Sequence, residues 1–86
     1  KEETESELYA SYADLEEIKA RYEASRNSYN VLLKTSEIPG AVSQNEVQQA
    51  KARMLSDSAR VKSTKQKVNA YISKLQSRKD LVQYLT

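Results

Sequence analysis

The chain has 86 residues, 38% hydrophobic and 30% charged, with no Trp, Phe, Cys or His. It is one small unit at most, and a compact globule of this size needs more apolar mass. Without Cys and His the usual thiolate, imidazole and zinc chemistry is missing, and no stretch approaches the ~20 apolar residues of a membrane span.

The first 38 residues contain no Pro and no Gly. They carry a seven-residue track, Leu8, Leu15, Tyr22 and Tyr29, with Ser11, Ile18, Ser25 and Leu32 offset by three. These are the a and d positions of a heptad repeat, which hold an apolar stripe against one neighbouring helix. A first helix is expected over about residues 2–36.

Pro39 and Gly40 are the only proline and the only glycine, and they are adjacent. Proline disfavours helical geometry at Ile38, and both residues are poor in a helix interior. A tip is expected over 37–42. Ser43-Gln44-Asn45-Glu46 reads as a capping box that starts a second helix at Ser43. That helix is expected over about 43–82, with a β-prone Tyr84-Leu85-Thr86 opening a strand beyond it.

The second helix has the cleaner track: Val47, Met54, Val61, Val68, Leu75 and Val82. Its companion row is mixed: Ala50, Asp57, Thr64, Tyr71, Arg78 and Leu85. The fold class is therefore all-α, a long antiparallel two-helix coiled-coil hairpin with a thin seam. The expected seam is Leu8, Leu15, Ile18, Tyr22, Tyr29, Val47, Met54, Val61, Val68 and Leu75. At ~1.5 Å per residue the arms are ~50 and ~60 Å long.

Charge supports the fold-back. Residues 1–38 hold nine acids and five bases, a net of −4, and residues 39–86 hold three acids and nine bases, a net of +6. Folding at the tip brings Glu2, Glu3, Glu5 and Glu7 toward Lys74, Arg78 and Lys79, and Asp14, Glu16 and Glu17 toward Arg60, Lys62 and Lys65. Each exposed pair is worth only ~0–1 kcal/mol, so such pairs select register more than they stabilise.

Apolar residues also gather at the tip. Val31, Leu32 and Leu33 precede it, and Ile38, Ala41 and Val42 lie in it. The plain reading is that Leu32, Ile38 and Val42 plug the end of the hairpin. The sharper one is a docking surface, because three consecutive residues cannot all face one helix. Ser43 has a sufficient structural task as N-cap. Gln44 and Asn45 are ordinary first-turn residues that also point outward, and Arg26 and Lys34 read equally as solvated cations.

The run from Tyr29 through Leu32, Leu33, Pro39, Gly40, Ala41, Val42, Ser43 and Glu46 to Ala50 resembles the hairpin tip of periplasmic adaptor subunits of tripartite efflux pumps. These are also called membrane fusion proteins, and the proline matches a resistance-nodulation-division subset. The shared pattern is Y-x-x-L, a short loop, then G-A-V-S-x-x-E and a later alanine. The resemblance covers the whole chain but is specific only around residues 29–50. It implies a hairpin cut from a longer adaptor, with a lipoyl-like domain outside this chain.

It also implies location in the periplasm of a Gram-negative bacterium, anchored to the inner membrane through segments outside the chain. The implied partners are a TolC-like outer-membrane channel, an inner-membrane transporter reached through the rest of the adaptor, and sister hairpins in a homo-oligomer, commonly a hexamer. The family's tip motif is an arginine, a leucine one turn later and a serine past the loop. Ser43 matches the serine and Leu32 the leucine. The loop here is longer, so the arginine position falls on Ser28 and Arg26 lies half a turn away. The tip surface implied is Arg26, Leu32, Leu33, Pro39, Gly40, Ala41, Val42, Ser43 and Gln44.

Other classes fit less of the chain. A generic coiled-coil module or a secretion-apparatus subunit explains the heptads and the single turn, but not the apolar tip. Nucleic-acid binding rests only on the run Lys62, Lys65, Lys67, Lys74, Arg78 and Lys79, without an aromatic-interleaved groove. No partner nucleic acid is expected. An enzyme needs groups in a shared, partly dry site, and a two-helix rod offers none. No catalytic residue, cofactor or metal is expected.

Overall fold

The computed structural model describes residues 2–85, with side chains from residue 5 onward. Helix α1 (Glu2–Thr35) and helix α2 (Gln44–Leu85) lie antiparallel, joined by residues 36–43. The rod measures 71 × 16 × 14 Å. Two helices side by side account for that cross-section, so the core is one layer thick. Among the described residues no helix is long and apolar enough to cross a membrane.

The heptad rows form the seam. Leu15, Val47, Ala50 and Val68 are its buried apolar residues, and Ser11, Ser25 and Thr64 are buried with them. Leu8, Ile18, Tyr22, Tyr29, Met54, Val61 and Leu75 are half-buried along the same line. The register is constant. Glu7 meets Tyr71 near the open end, and Ser25 and Ser28 share a groove with Ala50 and Arg53 nearer the tip.

To within one residue that offset sets Ser11 across from Val68, Leu15 from Thr64, Tyr22 from Asp57, Ser25 from Met54 and Tyr29 from Ala50, and likewise Leu8 from Tyr71, Ile18 from Val61 and Leu32 from Val47. In the first five of these layers a bulky side chain meets a small or short polar one, and in the last three two large ones meet. Small partners let the helices approach, and large ones fill the space they leave, so sliding one arm by a turn sets large against large. The buried hydroxyls need not be costly: Ser25 Oγ donates to the Tyr22 carbonyl at 3.1 Å. Among the described residues no buried side-chain polar atom lacks a partner.

Several expectations change. The second arm does not give way to a strand, because α2 continues through Leu85. Nothing in residues 78–85 breaks a helix. Thr86 lies outside the described residues. Residue by residue, α2 is longer than α1 (42 against 34), and past Leu75 its track emerges into solvent, with Val82 55% and Leu85 73% exposed.

The cross-arm charges also behave differently. Glu17 pairs with Arg21 of its own helix at 3.9 Å, and Glu23 pairs with Arg26 at 3.2 Å. Neighbours one turn apart reach each other at less entropic cost than side chains on opposite arms. Glu7 meets a phenol across the seam instead of a base. Glu5 does line one groove with Arg78 and Lys79. The side chains of Glu2 and Glu3 lie outside those described.

Candidate functional site

The tip is built by backbone hydrogen bonds. At the end of α1 the Ser36 N–H donates to the Leu32 carbonyl at 2.8 Å, and the chain then tightens, with Glu37 N–H to Lys34 and Ile38 N–H to Thr35. Two hydroxyls satisfy the last carbonyls: Thr35 Oγ1 donates to Val31 at 2.7 Å and Ser36 Oγ to Leu33 at 2.6 Å. The end of α1 is thus closed without a glycine cap.

Ile38-Pro39-Gly40-Ala41 forms the turn, with the Ala41 N–H donating to the Ile38 carbonyl at 3.1 Å. Gly40 has φ +80°, the value that position i+2 of a type II turn requires, and proline sits at the favoured i+1. A β-carbon at Gly40 would meet nothing within 4 Å. Glycine is therefore demanded by the dihedral and not by crowding.

Ser43 starts α2. Its Oγ accepts from the Glu46 N–H at 3.1 Å, and its hydroxyl lies 3.5 Å from Glu46 Oε1. The carboxylate thus accepts a long hydrogen bond from the hydroxyl instead of reaching back to the Ser43 N–H, a half-formed version of the expected box.

Large apolar side chains are exposed around this turn, as they also are along the arms (Tyr12, Leu55, Ile72) and near the open end (Tyr9, Leu81, Val82, Tyr84, Leu85). Val31 is 62% exposed, Ile38 62% and Leu33 45%. Ile38 is therefore not part of a plug, as expected from sequence; the turn carries it outward. Leu32 and Val42 are half-buried and close the end of the seam. Pro39, Gly40, Ala41, Ser43 and Gln44 are exposed. These residues and Leu33 share one end of the rod.

Arg26 does not join them. It lies nine residues before the end of α1, ~13 Å down the axis. Its guanidinium is held by Glu23 and sits 5.8 Å from the centroid of the Tyr22 ring. It belongs to the flank of the rod.

A groove below the tip has no counterpart in the sequence reading. It holds about 280 Å³ between Ser25, Ser28 and Leu32 of α1 and Glu46, Gln49, Ala50 and Arg53 of α2. Small side chains on both helices leave it open, and Asn27 and Val31 extend it outward over α1. The available signal was small residues at heptad positions (Ser25 on α1, Ala50 on α2), which cannot fill the space between two helices.

At the far end, the Glu7 carboxylate holds the Tyr71 phenol above its ordinary pKa, by hydrogen bonding first, then desolvation and charge repulsion. Among the described residues no group of three metal-ligating side chains gathers. No protein-family model, curated protein or solved structure matches the chain.

Proposed function

We propose that the chain is the docking hairpin of a periplasmic adaptor in a tripartite efflux pump. Its tip engages a TolC-like outer-membrane channel, and its flanks pack beside sister hairpins that link the channel to an inner-membrane transporter. The role is mechanical: the rod spans distance, and the turn presents a surface. It uses no catalytic group, cofactor or metal.

One observation carries the reading. Val31, Leu33 and Ile38 are held out into solvent around a type II turn at the end of a 71 Å rod. Exposed apolar residues set around a turn suit a partner surface better than solvent, and the likeness of this turn to the adaptor tip is what sets them apart from those exposed along the arms and near the open end. The resemblance of the tip sequence names the partner class. The seam alone suits a generic coiled-coil module equally well, and the outward tip is what favours docking.

Single cysteines at Ala41 or Gln44 test the reading, because the chain has no cysteine of its own. In cells with a working pump they should form disulfides with cysteines placed on the periplasmic end of a candidate channel. A pump that keeps working while every such pair stays unlinked would overturn the proposal.

A further inference from the structure

The groove beside the tip carries a pattern that the docking role does not use. Glu46, Gln49 with Ala50, and Arg53 lie on one stripe of α2, each about one turn from the next. An acid stands at one end of the stripe, a base at the other, and neutral residues between them. The midpoint from Glu46 to Arg53 falls between Gln49 and Ala50.

Such a stripe is self-complementary. In a two-fold pair, residue i of one copy meets residue j of the other, and j meets i. Two α2 stripes crossing antiparallel about the Gln49–Ala50 midpoint place Glu46 of each copy against Arg53 of its mate. Both ion pairs form at once, and the exposed Gln49 lies beside the axis while Ala50 stays buried in the seam as the groove's floor. The α1 side adds Ser28 and Leu32, a small residue and a half-buried apolar one, which leave room for the incoming helix.

We infer that this groove is an interface between two copies of the chain, joined head to head near their tips with the rods pointing apart. The inference does not depend on the efflux reading. The contact covers one short groove per copy, well under the ~1,200 Å² of a stable interface, so the pair is weak, forming at roughly 10–100 μM. It also covers Leu32 beside the tip, so a paired copy offers less of its tip surface to any other partner.

Gln49→Cys tests the geometry. The new thiols lie near the axis, so mild oxidation at those concentrations should yield disulfide-linked dimers from most of the protein. Gln66→Cys, on an exposed position of α2 far from the groove, should stay monomeric under the same conditions. Equal linking of both variants, or none from Gln49→Cys, overturns the proposal.

Charge exchange gives an independent arm. Arg53→Glu sets acid against acid twice and should weaken self-association, measured by sedimentation equilibrium, about tenfold. Adding Glu46→Arg in the same chain restores opposite charges across the groove and should recover most of the loss. Circular dichroism of each variant checks helix content, because Glu46 also serves the helix start. A folded double variant that stays as weak as Arg53→Glu alone would refute the two-fold pairing.

Discussion

Val68 and Val82 occupy the same heptad row two repeats apart, and replacing each with alanine isolates what the partner arm contributes. Val68 is 4% exposed and Val82 55%. Alanine removes two methyl groups, each worth about 0.8 kcal/mol when fully buried. At Val68 the loss is ~1.6 kcal/mol, rising to ~2 kcal/mol with the residual cavity. At Val82 less than half of that is at stake, ~0.7 kcal/mol. Alanine also favours the helix over valine by about 0.5 kcal/mol at either position. The net expectation is a loss of ~1.5 kcal/mol for Val68→Ala and almost none for Val82→Ala. Urea unfolding followed by circular dichroism reads both directly. For a chain of this size the first variant should melt roughly 6–12 °C below the parent, with the second close to it. Equal losses at the two sites would refute the seam as described, because the difference rests on how much of each side chain the fold buries.

Two further outcomes follow from local geometry. Gly40→Ala should cost ~1–2 kcal/mol through the positive φ alone, since nothing crowds the new methyl; calorimetry reads the loss, and a neutral effect would mean that the turn is not type II. Tyr71 is held above its ordinary pKa by Glu7, so the stability this gives is present in full below about pH 10 and is lost as pH rises through the higher folded value. Tyr71→Phe should flatten the fall of melting temperature over that alkaline window; an unchanged profile would show that the phenol does not sense folding.

Much of this architecture was legible because it depends on residues near one another in sequence. The single Pro39-Gly40 step marked the turn, the Ser43 hydroxyl marked the start of α2, and the rows through Leu15 and Val68 marked the seam. What escaped depends on competition between distant groups. Glu17 had bases available on the opposite arm but is taken by Arg21 one turn away. Ile38 looked like plug material by its apolarity, yet the turn aims it at solvent. The groove under the tip was invisible, because its emptiness comes from Ser25, Ser28 and Ala50 lining one space from opposite arms, which only a known register shows. The strand expected at Tyr84 rested on local propensity, and the helix it follows simply continues.

In the 86-residue chain taken by itself the turn ties the arms at the Pro39-Gly40 end, and this shapes how the rod comes apart. A ladder of layers tied at one end opens like a zipper from the other, each step releasing one rung and a little more slack chain. Amide exchange would then slow progressively from the Glu7–Tyr71 rung toward Val47. The stretch that parts last is the one holding up Val31, Leu33 and Ile38, so a half-opened molecule still presents its head intact.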